Sequence, residues 1–243
     1  MKVAILAGGK GTRLSELTKE VPKPMVKIGS KPILIHIINL YLKYNIKEFL
    51  ILVGYKSDVI KKFFKNFKKN NEPFSHKINN KYCKITIIES GKNSMTGGRL
   101  KFLKKLLQKD EEFMFTYGDG ISNVNIKKLL RFHKKCKKMI TVTAVRPPAR
   151  FGEIIIKKNL VHSFKEKPQV TQAWINGGFF VAKKNFLNLI KNKKTILEKK
   201  PLEKASKRKQ LAVFKHHNFW KCMDTLRDKE VLQNIYKKNR FNF

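Results

Sequence analysis

The chain opens with a short apolar run that stops abruptly at a cluster of glycines. Met1–Ala7 is rich in Val, Ile and Leu, and Gly8, Gly9 and Gly11 follow directly. An apolar run of this length bounded by glycine predicts a buried strand that leads into a tight loop. Open α/β sheets bind ligands beyond the carboxyl ends of their strands, where glycines let backbone N–H groups approach phosphate oxygens. This opening therefore predicts an α/β fold with an anion-binding loop.

Two other phosphate-binding motifs are excluded by the spacing of these residues. Walker A requires the pattern G-x-x-x-x-G-K-[ST], but residue 4 is Ala and Gly11 follows Lys10. The dinucleotide fingerprint that would start at Gly9 fails because Leu14 occupies its third glycine position. Arg13 follows the loop and adds a fixed positive charge suited to phosphate oxygens. The loop is therefore predicted to bind phosphate in a different way.

Apolar runs and helical periodicity alternate along the rest of the chain. Strands are predicted over residues 1–7, 48–53, 83–89, 112–117, 139–145, 153–157, 161–166, 174–182 and 210–216. Helices are predicted over 31–44, 57–67 (capped by Ser57), 98–108, 123–136, 183–192, 195–207 and 225–238, and a loop over 68–82. The alternation up to residue 145 favours a parallel sheet covered by helices on both faces. We expect one Rossmann-like, three-layer α/β/α domain over residues 1–243, with a mostly parallel mixed sheet and a modified C-terminal half.

The charge balance of the chain is unusual. Lysine and arginine number 55 against 17 acidic residues, a formal net charge of +38. Such an excess is typical of proteins with a polyanionic partner. However, only eight of the 55 are arginine, the residue favoured for base readout and bidentate phosphate contacts. The lysines are also spread along the whole chain. We interpret the charge as dispersed surface charge that attracts small anions, and we expect no nucleic-acid partner.

The same composition bears on location. No apolar run approaches the roughly 20 residues that a membrane-spanning helix needs, and Val3–Ala7 is too short for a signal peptide. Cys83, Cys136 and Cys222 are odd in number and far apart, which is typical of free thiols in a reducing compartment. We expect a cytoplasmic protein that does not contact a membrane.

Two adjoining motifs resemble one enzyme family. Leu6–Leu14 followed by Pro22–Met25 is similar to the signature of the sugar-1-phosphate nucleotidyltransferases, and the resemblance runs nearly end to end. Four further segments resemble the branch that makes CDP-glucose and pyrophosphate from CTP and glucose 1-phosphate. These segments are Ser94–Arg99, Phe115–Gly120, Ile175–Phe180 and Phe219–Asp228. The resemblance implies a nucleotide-binding half over 1–145 and, over 146–243, a half that binds the sugar and supplies the second metal ligand.

The resemblance also implies which residues bind the nucleotide and act on it. The nucleotide-binding residues are Leu6, Ala7, Gly8, Gly9, Gly11, Thr12, Arg13, Lys23, Ser94, Arg99 and Gly118. Of these, Arg13 and Lys23 are expected to be catalytic, because cations beside the reacting phosphates offset their charge. Lys23 lies between two prolines, in a stiff and extended segment. Ser94 and Arg99 are expected to border the cytosine and ribose.

The resemblance also implies which residues bind the metal and the sugar phosphate. Asp119 lies between two glycines after a predicted strand, and Asp224 lies in a second such turn far along the chain. Two converging carboxylates suit Mg²⁺, a hard cation that prefers oxygen ligands, and the resemblance places the metal on these residues. It also assigns the sugar phosphate and sugar hydroxyls to Glu166, Lys167, Asn176 and Gly177.

The implied reaction is in-line attack by a phosphate oxygen of glucose 1-phosphate on the α-phosphorus of CTP, which displaces pyrophosphate. Alignment and charge neutralisation would supply the catalysis without a covalent enzyme intermediate. A homo-oligomer is also expected, although the 68–82 segment and the C-terminal tail, which in the family often serve subunit contacts, are short here.

Three alternatives stay open from the sequence. The same chemistry could use dTTP or UTP, or another sugar 1-phosphate. A non-catalytic sugar-nucleotide sensor could share the fold, but it would be expected to lose the metal carboxylates or phosphate cations. A nucleic-acid-binding protein driven by the charge would show DNA binding that falls steeply with salt.

Overall fold

The computed structural model describes residues 1–108, 111–147, 153–165 and 173–238. The strands are β1 (Lys2–Leu6), β2 (Lys27–Ile28), β3 (Lys31–Pro32), β4 (Glu48–Val53), β5 (Pro73–Ile78), β6 (Lys81–Glu89), β7 (Glu112–Tyr117), β8 (Gly120–Ser122), β9 (Ile140–Val145), β10 (Glu153–Lys157), β11 (Leu160–Lys165), β12 (Ile175–Lys183), β13 (Leu211–His216) and β14 (Trp220–Cys222).

The α-helices are α1 (Ser15–Thr18), α2 (Ile33–Lys43), α3 (Ser57–Phe63), α4 (Thr96–Leu100), α5 (Ile126–Cys136), α6 (Lys200–Lys207) and α7 (Leu226–Lys237). Short 3-10 helices cover Thr12–Leu14, Lys23–Met25, Lys101–Lys105 and Lys184–Leu189. None of the helices in the described part of the chain combines the length and the apolar character needed to cross a membrane.

Eight strands form one central sheet in the order β13-β9-β12-β7-β1-β4-β6-β5. The β7-β1-β4-β6 segment and the β9–β13 pair are parallel. β12 runs antiparallel to both β7 and β9, and β5 runs antiparallel to β6. Leu6 is level with Leu52 in β4 and with Tyr117 in β7, so the carboxyl ends of these three strands share one edge. This mixed and mostly parallel sheet confirms the predicted fold class.

The sheet separates two hydrophobic cores, because alternate side chains of a strand point to opposite faces. Along β1, Val3 and Ile5 belong to one core, and Ala4 and Leu6 belong to the other. The first core packs against α2, α3, α5 and α7, and the second packs against α4, α6 and the adjoining 3-10 helices. The layers are therefore helix, sheet and helix, and a continuous apolar run such as β1 is buried on both sides.

The prediction of a loop over 68–82 is wrong. This segment contains β5 and the start of β6, which pair as an antiparallel hairpin at the edge of the sheet. The edge strand alternates half-buried and exposed side chains, with only Ile78 buried, so it lacks the apolar run that identifies a central strand. Asn79 and Asn80 form the turn with positive φ angles, a conformation that asparagine tolerates better than most residues.

Several helix boundaries also differ from the prediction. Ser57 is the first residue of α3, and Lys56 is its N-cap, so Ser57 does not cap this helix. The helix predicted over 98–108 begins at Thr96 and tightens into a 3-10 helix after Leu100. The helix predicted over 183–192 is a 3-10 helix as well. Short helices of this kind lack the sustained period by which longer helices are recognised.

The β10–β11 hairpin stands apart from the central sheet and pairs only with itself among the described residues. Apolar side chains on both of its strands are exposed, and Leu160 has the largest exposed fraction of them at 78%. The exposed apolar residues of this hairpin are Ile154, Ile155, Ile156, Leu160, Val161 and Phe164.

Candidate active site

A cleft of about 840 Å³ opens at the edge of the sheet where β1 and β7 end. β12 runs antiparallel to β7, so it starts at this same edge. Most of the residues singled out from the sequence line the cleft: Leu6, Gly9, Gly11, Thr12, Arg13, Lys23, Ser94, Arg99, Gly118, Asp119, Asn176, Gly177 and Asp224. A cleft of this size is large enough for a nucleotide together with a second small ligand.

The glycine loop follows β1 and turns into the 3-10 helix at Thr12. Gly11 has a φ angle of 67°, the left-handed conformation that glycine adopts without strain. Ala7 is fully buried, and neither Ala7 nor Gly8 lines the cleft. Instead, the Gly8 carbonyl accepts a hydrogen bond of 2.6 Å from Arg99. The part of the loop from Gly9 onward is therefore the part that faces a ligand.

Lys23 lies at the base of the cleft, with only 8% of its surface exposed. It begins the 3-10 helix between Pro22 and Pro24, so the backbone that carries its side chain is stiff. Its Nζ donates to Asp119 at 2.7 Å and to Asp224 at 2.6 Å. Burial alone would lower the pKa of Lys23, but these two carboxylates raise it above its ordinary value. Lys23 therefore carries a buried positive charge.

Backbone pairing brings together two carboxylates that are far apart in the chain. Asp119 lies between β7 and β8, and β8 pairs with β14 just before Asp224. The Met223 N–H donates to the Asp119 carbonyl at 2.9 Å, which ties the two turns together. Thr225, the next residue, is the N-cap of α7 and forms a capping box with Asp228. Because Thr225 fills the capping position, the Asp224 carboxylate faces the cleft.

Arg13 completes a cluster of four charged groups. Its Nη1 donates to Asp224 at 2.7 Å, while 70% of its side chain stays exposed to the cleft. An ion pair this exposed adds little to stability. Arg13 can therefore turn toward an anionic ligand at small cost.

The donor set of the cluster suits a divalent cation. One oxygen of Asp119 and one of Asp224 lie close enough to touch a single ion, and the Lys23 ammonium already bridges them as a cation. Carboxylate oxygens are the ligands that hard cations such as Mg²⁺ prefer. The Cys222 thiol lies within 4.8 Å of the same two oxygens. Burial and then the two carboxylates raise the pKa of this thiol.

Arg99 lines the cleft but is almost fully buried, with 4% of its surface exposed. Its guanidinium donates to the Gly8 carbonyl, to the Ser90 hydroxyl at 2.7 Å and to the Gly91 carbonyl at 2.9 Å. Gly8 follows β1, and Ser90 and Gly91 follow β6. A longer hydrogen bond reaches the carbonyl of Val53, the last residue of β4. Burial lowers the pKa of Arg99 from its ordinary value. A Cβ atom on Gly8 would overlap this guanidinium, so glycine is needed there for Arg99 to pack.

Ser94 is buried beside the same segment, and its hydroxyl donates to the Ser90 carbonyl. Both of the residues predicted to border the base therefore line the cleft while their polar atoms bond to backbone carbonyls. Gly118 closes this wall, with its N–H donating to the Leu6 carbonyl at 3.1 Å. Base contact by Ser94 or Arg99 stays a prediction.

A second polar group lines the cleft near the start of β12. The Asn176 side chain donates to the Tyr117 hydroxyl at 3.1 Å, and that hydroxyl donates to Glu198. Thr96 donates to the other oxygen of Glu198 at 2.7 Å. The Gly177 carbonyl accepts from the Trp220 indole at 2.7 Å. Carboxylate and amide groups at this wall are suited to bind hydroxyl groups of a ligand.

Sequence reasoning did not predict several of these lining residues. Tyr117, Trp220 and Cys222 lie inside the segments that carry the family resemblance, so the signal that could have identified them was present. Glu198 lies in a lysine-rich stretch without a motif, and only the fold brings it to the cleft. Glu166, predicted to bind sugar hydroxyls, and Lys167, predicted to bind the sugar phosphate, lie outside the residues that the structure describes.

The chain is similar in sequence and in fold to several known proteins. The family model described as nucleotidyl transferase matches residues 2–227. The glucose-1-phosphate cytidylyltransferase of Salmonella typhimurium is 45% identical over 251 residues, covering 99% of this chain and 97% of that protein. The mannose-1-phosphate guanyltransferase of Saccharomyces cerevisiae is 32% identical and covers 96% of this chain, which spans 63% of that protein. The crystal structure of HddC from Yersinia pseudotuberculosis has a similar fold, with a TM-score of 0.72 at 23% identity over 97% of this chain and 99% of that one.

Proposed function

The chain belongs to the nucleotidyl transferase family, and we infer that it transfers the cytidylyl group of CTP to glucose 1-phosphate. The products are CDP-glucose and pyrophosphate. Relatives with this activity match almost the full length of both chains. The observation that carries the inference is the convergence of Arg13, Lys23, Asp119 and Asp224 at one cleft. A non-catalytic sensor of sugar nucleotides would have no need for this set of charges.

The reaction joins a phosphate oxygen of glucose 1-phosphate to the α-phosphorus of CTP and breaks the bond between the α-phosphorus and the bridging oxygen of the β-phosphate. The electron pair leaves with pyrophosphate, so negative charge grows on the triphosphate side. Lys23 and Arg13 supply fixed positive charge at the cleft that offsets this growth. The stiff segment around Lys23 keeps its ammonium in place, so little reorganisation is needed during the reaction.

Members of the family generally use a divalent metal, and we propose Mg²⁺ for this chain. Asp119 and Asp224 are the residues that would hold it, because their oxygens already share one cationic partner. When bound, the metal supplies Lewis-acid charge to the phosphate oxygens.

Two sets of residues that line the cleft suit the two substrates. Backbone groups of the 91–96 segment, which is bonded to the buried Arg99, are proposed to face the base and ribose. Asn176, Gly177 and Glu198 line the same cleft and are proposed to face the glucose hydroxyls. Lys167 is proposed to contact the sugar phosphate, and Glu166 is proposed to accept hydrogen bonds from the sugar hydroxyls. Selection of cytosine rests on hydrogen bonds to the base edge, since cytosine and uracil differ there in donors and acceptors.

The remaining parts of the proposal concern partners. CTP and glucose 1-phosphate are the ligands, without nucleic acid. We propose that the chain forms a homo-oligomer, because the exposed apolar side chains of the β10–β11 hairpin lack a partner within the described chain. The three free cysteines favour the cytoplasm as its location.

The test is pyrophosphate release with Mg²⁺ and glucose 1-phosphate, with CTP, UTP, dTTP, ATP and GTP offered separately. We expect strong preference for CTP and loss of the signal when either the sugar phosphate or the metal is left out. Preference for another nucleotide would keep the reaction and overturn the assignment of the base. A folded protein that binds nucleotide but releases no pyrophosphate with any of them would contradict the proposed reaction with glucose 1-phosphate.

A further inference from the structure

Cys222 is a third potential metal ligand beside the two carboxylates of the cleft. Its Sγ, one oxygen of Asp119 and one oxygen of Asp224 all lie within 4.8 Å of one another. The thiol lines the cleft, so it is reached from the same space as the carboxylates. Bonds from Zn²⁺ to sulfur and oxygen are about 2.0–2.3 Å long, so one ion can touch all three atoms after small side-chain shifts.

The position of the thiol is fixed by backbone pairing. Cys222 is the last residue of β14 and lies opposite Gly120 in β8, the residue that follows Asp119. The next residue, Met223, bonds the Asp119 carbonyl through its N–H. Cys222 and Asp119 are therefore held as neighbours by a strand ladder, and the thiol does not depend on a loose loop to reach the carboxylates.

A thiol changes which cations such a site prefers. Mg²⁺ is hard and takes oxygen ligands, so Cys222 adds little to Mg²⁺ binding. Zn²⁺ and Cd²⁺ accept thiolate together with carboxylate ligands and bind such mixed sets more tightly than oxygen alone.

We propose that Cys222, Asp119 and Asp224 form a binding site for thiophilic divalent cations, Zn²⁺ and Cd²⁺, which compete with Mg²⁺ for the same carboxylates. As the metal–sulfur bond forms, the thiol proton passes to the solvent and no other atom is exchanged. The competition with Mg²⁺ rests on the proposed function, because it assumes that the carboxylates hold Mg²⁺ for catalysis. Ligation by the three side chains does not need catalysis at all.

The direct experiment titrates the full-length protein with Cd²⁺ and follows the ultraviolet charge-transfer absorption of the cadmium–sulfur bond. A Cys83→Ser/Cys136→Ser variant removes the other two thiols and is expected to keep the absorption. Cys222→Ser is expected to abolish it. Asp119→Asn and Asp224→Asn are each expected to weaken Cd²⁺ binding roughly tenfold or more, since each removes one charged ligand. Added Mg²⁺ is expected to raise the apparent Kd for Cd²⁺.

Four results would overturn the proposal. The absorption could persist in Cys222→Ser, or it could be absent when only Cys222 remains as a thiol. It could depend on Cys222 but be unchanged in both aspartate variants, which would mean binding to the thiol alone. An apparent Kd that is insensitive to Mg²⁺ would remove the competition.

A second measurement needs no variant, which guards against a cysteine substitution that fails to fold. The protein is alkylated with iodoacetamide in the presence and absence of Zn²⁺, and each cysteine is quantified by peptide mass spectrometry. We expect Zn²⁺ to protect Cys222 while Cys136, which is also half-buried, is labelled as before. Equal labelling of Cys222 with and without Zn²⁺ would contradict the proposal.

Failure of this inference and failure of the proposed function give different results. A protein that releases pyrophosphate with Mg²⁺ but shows no cadmium–sulfur absorption disproves only the thiol site. A protein that binds Cd²⁺ through Cys222 but turns over no nucleotide disproves only the proposed reaction.

Discussion

Lys23 carries its charge where burial opposes it. Burial lowers the pKa of this amine, and the carboxylates of Asp119 and Asp224 more than compensate. These contacts hold the positive charge in position before the phosphates bind. We predict that Lys23→Ala loses roughly 100-fold or more in kcat, the scale of removing one fixed charge-stabilising group. Steady-state pyrophosphate release measures the loss.

The control for this variant is Lys27→Ala, which removes an exposed lysine outside the cleft. Its activity is expected to stay near that of the unchanged protein. The Lys23→Ala protein should still bind Cd²⁺, because its carboxylates and thiol remain. Near-normal kcat in Lys23→Ala would remove this amine from the mechanism.

Arg99 holds together the ends of three strands. Its guanidinium donates to the carbonyls of Gly8 after β1, Val53 at the end of β4 and Gly91 after β6, and the first two of these bonds are buried. Arg99→Met removes these donors, while the backbone N–H groups of Tyr55, Ser90 and Ser94 still bond the same three carbonyls. We predict a loss of about 1.5–3 kcal/mol in the free energy of unfolding, because hydrogen bonds of a charged group contribute about that much. Urea denaturation measures it.

Arg131→Met is the matched control, since Arg131 is exposed on α5 and the same atoms are lost. A change within about 0.5 kcal/mol is expected for it, as for most surface substitutions. If Arg99→Met were as stable as this control, the guanidinium would have no structural role. Arg99 would then be free to serve the base, as the sequence predicts.

The charged centre could be predicted residue by residue. The polar group that contains Asn176, Tyr117 and Glu198 could only be predicted in part. Lys23, Asp119 and Asp224 stand in motifs whose spacing indicates their chemistry, and the structure brings them within hydrogen-bond distance. Glu198 has no such motif. Its partners Thr96 and Tyr117 are 102 and 81 residues away in sequence, and only the folded chain brings them together.

The start of α7 positions the second carboxylate. Thr225 accepts from the Asp228 N–H, and the Asp228 side chain accepts from the N–H groups of Thr225 and Asp224. We predict that Thr225→Ala costs about 1 kcal/mol of stability, the usual effect of losing an N-cap. It should also raise the KM for CTP, since Asp224 is bonded to this cap. Thermal denaturation and steady-state kinetics measure the two effects.

Ser206→Ala provides the comparison for this prediction. Ser206 is exposed within α6, where alanine favours the helix, so its stability should stay equal or rise slightly. Unchanged stability and unchanged KM in Thr225→Ala would show that the capping box does not support the site.

At the scale of elements, the sequence predicts central strands well and edge elements poorly. Glu48–Val53 and Glu112–Tyr117 match their predicted bounds because apolar runs buried on both faces have clear ends. The β5 strand was missed because an edge strand faces solvent and needs no such run. α4 holds Gly97 and Gly98, whose low helix propensity obscures its start.

At the scale of the molecule, the sequence indicates the layers of the fold but not the order of the strands. The mixed order arises because β12 enters between β7 and β9 and runs against both. That pairing joins residues far apart in the chain, so no local pattern reports it. The consequence is functional, because reversing β12 brings Asn176 and Gly177 to the edge where β7 delivers Asp119.

The β10–β11 hairpin extends this argument to contacts between molecules. A two-stranded ribbon is marginally stable alone, and exposing apolar side chains on both strands adds no stability. A formal charge of +38 makes copies of the chain repel each other, so any association needs a large apolar contribution. The hairpin offers one, through Ile155, Leu160 and their apolar neighbours. A second copy of this chain is the occupant that the homo-oligomer proposal assigns to it.

We therefore predict that an Ile155→Lys/Leu160→Lys variant is monomeric by sedimentation velocity, while the unchanged protein is an oligomer at physiological salt. Raising the salt should strengthen the oligomer of the unchanged protein, since salt screens the repulsion and leaves the apolar contact intact. Tyr82→Lys is the control, because Tyr82 is also a large exposed side chain but lies on β6. If Tyr82→Lys dissociated the oligomer and the hairpin variant did not, the interface would lie at the β5–β6 edge. A monomeric unchanged protein would remove the oligomer, and the hairpin would then need a different partner.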